Sequence, residues 1–345
     1  MRRTFALLSC WILSGNTVFA AEPDPLFQSS EMLEITLTAP IDEIDDTRDK
    51  DTEYEGTLSY LDANRTEIVL DASYSVRGNW RLDKRNCRYA QLWVNLRRSQ
   101  VAGTIFENQN RLKLVVQCGR QNRYADYLYK EIQAYDIFSE LSELNFDTRL
   151  LNVTYIDSED PDSVRTQPAF FIEHQNRIAE RFALTEVETN TVPRRELNSL
   201  QGTLVAMYMY LIGNVDFSMI QGPEGEECCH NAKQFQNAAG EYFPIPYDFD
   251  ASGFVDTNYA PEPDPRFNLR SNRSRLYRGF CVDPAELDAA VQVFQTKRER
   301  ITAIVTDAPN VAARATNRNT RYVEDFFEVL DDARDFERAF VRNCR

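Results

Sequence analysis

Several charged residues fall where apolar packing has no use for them. Lys113 interrupts the run Arg111-Leu112-Lys113-Leu114-Val115-Val116, and Glu131 falls on the helical stripe formed by Tyr124, Leu128, Ile132, Tyr135 and Phe138. An ammonium and a carboxylate are each costly to bury alone, so the expected remedy is an ion pair between Lys113 and Glu131. Asp216 follows directly on an apolar run ending Ile212-Gly213, and His230-Asn231 comes 14 residues later. Asp248 and Asp250 are delivered into a Gly-terminated turn by Pro244-Ile245-Pro246. Phosphoryl transfer uses a strand lysine on the phosphates, a helix glutamate that positions it, a carboxylate for the acceptor hydroxyl, and an Asn and an Asp on magnesium. Lys113, Glu131, Asp216, Asn231 and Asp248 occur in that order, with Asp250 as a further metal candidate. Two other roles fit the same residue types. Asp216 can cap a turn, and Asp216, His230, Asp248 and Asp250 together can hold a cation that activates water for hydrolysis.

The elements that must position these groups are legible as periodicity. Alternating patterns predict strands at 34–38, 56–61, 67–76, 92–96, 112–117, 149–156 and 169–173, and a short one at 242–246. Helical patterns predict helices at 123–141, 197–212, 284–306 and 320–342. Residues 41–53 carry seven carboxylates and read as a solvated turn, and residues 214–278 read mostly as loop. A β-rich first half followed by a helical second half gives an α+β layout.

Residues 1–20 carry an Arg pair, an apolar run from Phe5 to Phe19 and the small-x-small site Val18-Phe19-Ala20, the pattern of a cleavable secretory signal. Leu7-Leu8-Ser9-Cys10 is a fainter lipid-anchor pattern. The chain is therefore expected to be exported, to the periplasm or beyond, without a membrane span. Six of the seven cysteines remain after cleavage, an even number in an oxidising compartment. Cys87 and Cys118 are the expected pair, with Cys228 and Cys229 expected to reach Cys281 and Cys344. A net charge of −15 argues against nucleic-acid and anionic-lipid partners.

Arg77-Gly78-Asn79, the 127–138 helix, Phe170-Phe171-Ile172-Glu173 and Pro-Ile-Pro-Tyr-Asp-Phe-Asp (244–250), in that order, resemble the CotH-type spore-coat kinase superfamily. More closely, the chain is similar to exported bacterial proteins allied to it. The resemblance implies an atypical protein-kinase-like two-lobed fold, with a β-rich N-lobe over 21–176 and a helical C-lobe over 177–345. It implies ATP with Mg or Mn in the cleft. Lys113, Gly78, Asn79 and Glu173 would contact the nucleotide, Asp216 would be catalytic with Lys113 and Glu131, and Asn231, Asp248 and Asp250 would bind metal. The acceptor would be a protein or envelope polymer. The sequence departs from that pattern in the long Asp216–Asn231 spacing and in having no G-x-G-x-x-G loop. A catalytically inactive, pseudokinase-like binding module and a metal-dependent hydrolase are the two other readings.

Overall fold

The computed structural model describes residues 22–345, so the expected signal peptide and Cys10 lie outside the described residues. Seven strands close into a barrel: β1 (Leu33–Ala39), β2 (Glu53–Leu61), β3 (Glu67–Arg77), β4 (Gln91–Leu96), β5 (Arg111–Val116), β6 (Thr148–Asp157) and β7 (Val164–Ile172), in the order β1-β2-β3-β4-β5-β7-β6. Every neighbour pair is antiparallel except the closing one, where β6 runs parallel to β1 from Leu33↔Leu151 to Ala39↔Asp157. Alternation sends Leu37, Leu58, Tyr74, Val94, Leu112, Leu114, Val153 and Phe171 into a closed interior core. The same alternation turns Trp93, Lys113, Val115, Phe170 and Ile172 to the outside.

This closure corrects the expected kinase-like two-lobed fold. The alternating patterns do coincide with strands, but period-two alternation is the same in an open sheet and a closed one. The β1–β6 pairing decides between them by removing both edges, and nothing local to either strand encodes it.

Helix α1 (Ile41–Thr47) lies in the segment expected to be a turn; Ile41 and Ile44 are buried, while the acids between them hide the apolar pair. Next come α2 (Arg98–Val101), α3 (Asn122–Leu141), α4 (Gln175–Arg181), α5 (Ser199–Ile212), α6 (Pro284–Thr306) and α7 (Ala313–Asp331). A small sheet, β8 (Thr185–Glu186), β9 (Ala232–Gln236) and β10 (Tyr242–Pro246), is ordered β10-β9-β8. A second core joins the outer barrel residues Val115, Phe170 and Ile172 to α3, α5, α6 and α7. Helix α3 thus packs with the C-terminal helices, so the helical core draws on both halves of the chain.

Among the described residues three disulfides are present. Cys87–Cys118 forms as expected, with α-carbons 4.5 Å apart. The remaining connectivity differs from expectation: Cys228 is bonded to its neighbour Cys229, and Cys281 to Cys344. Among the described residues no helix is long and apolar enough to cross a membrane.

Candidate functional site

Helix α5 is capped at its start by Asn198, whose side chain accepts from the Gln201 N–H at 2.9 Å, and it ends at Gly213. Gly213 has φ +63°, and a Cβ there would lie 2.0 Å from the Tyr322 hydroxyl, so only glycine fits this stop. The chain then turns: the Asn214 side chain accepts from the Asp216 N–H at 2.9 Å. Asp216 Oδ1 hydrogen-bonds His230 Nε2 at 2.9 Å, and the Asn231 amide donates to the Asp216 carbonyl at 2.6 Å. The Asp216 hydrogen bond holds the His230 ring above its ordinary pKa. Asp216 and His230 are both half-exposed and line a cavity of 730 Å³ that also takes in Arg266, Arg278 and Asn272. Arg278 fixes the loop by donating to the carbonyls of Val215 and Phe217.

The β9–β10 hairpin brings Asp248 to the same region. Pro246 faces Ala232, and the Tyr247 N–H donates to the Asn231 carbonyl at 3.2 Å. Asp248 itself is left-handed, with φ +62°, and its N–H donates to the Tyr135 hydroxyl of α3 at 3.0 Å. Asp216, His230 and Asn231 are therefore joined by hydrogen bonds in one loop cluster, and Asp248 follows it through the Tyr247–Asn231 contact, with its carboxylate turned to Arg81.

The expected Lys113–Glu131 ion pair does not form. Glu131 is buried opposite Arg81, whose Nη1 lies 4.0 Å from its Oε2. The same guanidinium binds Asp248 through Nη2 at 3.2 Å and Asp250 through Nε at 3.2 Å. Burial is the largest influence on Glu131 and Asp250, and it pushes both upward; Arg81 opposes it. Among the described residues Glu131 Oε1 has no hydrogen-bond partner, so a retained proton on this carboxyl is the least costly state. Arg81 thus stands between the two carboxylates, Asp248 and Asp250, that the resemblance assigns to metal. These residues do not fit a magnesium site as arranged, because a cation of the chain already neutralises them. Among the described residues, no group of three or more His, Cys, Asp and Glu is disposed to hold a metal ion.

Lys113 has a different environment. It is 8% exposed on the outer barrel face. Its ammonium lies 4.8 Å from the Tyr247 ring, 5.6 Å from Trp93 and 6.0 Å from Phe146. Trp93 pairs with Lys113 across β4–β5, and two more cations approach its ring, Arg111 at 4.1 Å and Arg77 at 5.9 Å. Among the described residues none of Arg77, Arg111 and Lys113 has a carboxylate within 4.0 Å, and Arg77 Nε is buried with no hydrogen-bond partner. Burial, then Arg77 and Lys233, push Lys113 down to about 7. His174, 6.0 Å from Trp93, is pushed down to about 4 by burial and then by Lys113, Arg111 and Lys233. Three basic side chains thus surround one indole in a chain of net charge −15.

The other assigned nucleotide contacts go elsewhere. Glu173 is buried against Arg181 at 2.9 Å and also accepts from the Asp147 N–H, so it is a structural tie at the root of α4. Asn79 accepts from Lys50 at 2.7 Å. Gly78, at φ +89°, has open space where a Cβ would stand. Arg81 and Trp93 are the residues that sequence reasoning missed; the one trace of Arg81 is a basic residue set between two apolar ones, Trp80 and Leu82. Compared with protein-family models, with curated proteins and with solved structures, the chain finds no match.

Proposed function

We propose that this is an exported protein that binds a phosphorylated, nucleotide-like ligand on the outer face of its barrel. The observation that carries the reading is the trio Arg77, Arg111 and Lys113, gathered around Trp93 without a carboxylate partner. Basic side chains without a carboxylate partner, within cation–π reach of an indole, favour a planar, anionic ligand: the cations take phosphate oxygens, and the aromatic rings take a base or sugar. From the CotH-type resemblance the reading keeps the phosphate-anchoring role of Lys113. The half-exposed Asp216–His230 pair supports an acceptor side in the adjoining cavity, where the imidazole can accept a hydroxyl proton and the carboxylate can stabilise the resulting imidazolium. Phosphoryl transfer to a protein or envelope acceptor is the activity this pairing favours. Arg81 on Asp248 and Asp250 favours a second reading, a binding module without catalysis.

Thermal unfolding with ATP, ADP and inorganic phosphate, each with and without magnesium or manganese, tests the proposal. A ligand at a hundred times its Kd stabilises by about 2.7 kcal/mol, and ATP alone is expected to raise the melting temperature. Stabilisation by the metal alone would favour the hydrolase reading. No response to any nucleotide at millimolar concentration would end the nucleotide reading.

A further inference from the structure

The two segments that meet at the Cys87–Cys118 disulfide carry a high density of cations. Lys84-Arg85-Asn86-Cys87-Arg88 and Cys118-Gly119-Arg120-Gln121-Asn122-Arg123 are held together by that bond. The Arg88 N–H also donates to the Cys118 carbonyl at 2.8 Å. Between them lies a cavity of 260 Å³ whose ten lining residues include Lys84, Arg85, Arg88, Arg120 and Arg123 and no carboxylate. All five cations are exposed. Lys84 reaches out to Asp46 at 2.8 Å and Arg85 to Asp83, both at the surface, where water and salt let such pairs exchange. Arg88, Arg120 and Arg123 have no carboxylate within 4.0 Å among the described residues. Gathering like charges works against the folded chain. Here it happens in a sequence with 54 acidic residues against 39 basic ones, where a mixed surface would be the less costly arrangement. A local rule broken without compensation inside the fold points to a partner outside it.

An aromatic strip borders the cations and says what kind of partner. Tyr124 lines the cavity and stacks on Tyr259, with ring centroids 6.4 Å apart and 9° between the planes. The Trp80 indole donates to the Tyr259 carbonyl at 2.6 Å, and Trp80 is 49% exposed. Asn86 ties Trp80 to the cavity by donating to its carbonyl at 2.9 Å. Open rings beside arginines suit an acidic sugar: its apolar C–H face lies on the aromatics and its anionic substituents take the guanidiniums. The surrounding acids decide the partner's shape. Screening confines the field of the patch to about 8 Å at physiological salt. A flat anionic membrane would also meet Asp46 and Asp83 at the edge of the patch, whereas a thread-like polyanion need touch only the cations and the rings.

We propose that this patch docks an acidic polysaccharide, a polymer of sugar rings carrying carboxylate or sulfate groups. The anionic groups lie on Arg88, Arg120 and Arg123, and the sugar rings on Trp80 and Tyr124. The patch shares no residue with the Arg77, Arg111 and Lys113 trio, and the proposal does not rest on the nucleotide reading.

Titration of the full chain with polygalacturonate, dextran sulfate, neutral dextran, inorganic polyphosphate and phosphatidylglycerol vesicles tests it. Wild type is compared with Arg88→Gln/Arg120→Gln/Arg123→Gln, with Trp80→Ala, and with a charge-matched control, Arg98→Gln/Arg314→Gln/Arg321→Gln. All six arginines are exposed, so both triple variants are expected to fold. The expected result is binding of polygalacturonate (carboxylate) or dextran sulfate (sulfate), but not of neutral dextran. That binding should weaken with salt, fall by at least about tenfold in the patch variant as its charge-assisted contacts are lost, fall in Trp80→Ala, and stay unchanged in the control. Equal loss in the control would make the attraction one of overall charge and overturn the proposal. Tighter binding of polyphosphate or of vesicles than of either acidic polysaccharide, unchanged binding in the patch variant or in Trp80→Ala, or binding of none of the probes would overturn it as well.

Discussion

Replacing Lys113 with methionine removes a buried ammonium while keeping most of the side-chain volume. The folded protein lowers this group from 10.5 to about 7, chiefly by burial. One pKa unit is worth about 1.4 kcal/mol, so keeping the lysine charged in this site costs on the order of 5 kcal/mol as a ceiling. Three aromatic rings offset part of that, at about 0.5–1 kcal/mol each. The Lys113→Met substitution is therefore expected to stabilise the protein by about 3 kcal/mol at pH 6. The sign follows from proton binding: between about 7 and 10.5 the unfolded lysine holds a proton that the folded one does not. Wild-type stability from this residue accordingly rises with pH across that window, and the advantage of Lys113→Met shrinks to near zero above it. Urea denaturation of both proteins from about pH 6 to about pH 10.5 measures the difference directly. A destabilised variant at pH 6, or a difference independent of pH, would refute the account of Lys113 as an unpaired, binding-ready cation.

Arg81→Ala leaves the buried Asp250 without its cation, and the more exposed Asp248 likewise, and a loss of about 3–5 kcal/mol is expected in the same assay. That loss should be smaller at pH 5 than at pH 8, because the raised carboxyls then take up protons; an equal loss at both would count against the cluster. The chain has two histidines, so their NMR titrations are separable: His174 is expected near 4 and His230 above its ordinary value. Asp216→Asn should bring His230 down toward 6.5, and an unmoved His230 would mean the 2.9 Å contact has no electrostatic effect in solution. The stability His230 contributes is present below about 6.5 and fades as pH rises through its folded value. Removing both Cys281 and Cys344, which close a 63-residue span, should cost about 4 kcal/mol by the loop-entropy estimate, read as a lower urea midpoint.

The strands and three of the four long helices are legible in the sequence because burial on one face imposes a period; the helix expected over 320–342 runs instead from Ala313 to Asp331. The pattern over 284–306 coincides with the observed helix, and the helix expected over 123–141 begins one residue earlier. Strand β9 carries no such pattern: Ala-Lys-Gln-Phe-Gln looks polar, although Gln234 is buried outright. The turns that carry Asp216 and Asp248 are legible, since each follows an apolar element that fixes where the chain must turn. The partner of Glu131 is not. Lys113 stands on the outer barrel face, and the cation that reaches Glu131 comes from a short 3-10 turn, Trp80–Leu82, with no periodicity to announce it. Barrel closure and the Cys228–Cys229 pairing are likewise properties of tertiary geometry, not of local pattern.

The cations around Trp93 are assigned to the phosphates of a nucleotide-like ligand, and everything proposed for the outer barrel face depends on that. Isothermal titration of ATP into wild type and into an Arg111→Gln/Lys113→Met double variant tests it most directly, at two salt concentrations. The expected result is binding by the wild type that weakens with salt, as charge pairing at a partly exposed site must, and at least a tenfold loss of affinity in the variant. Equal affinity in the two proteins would contradict it.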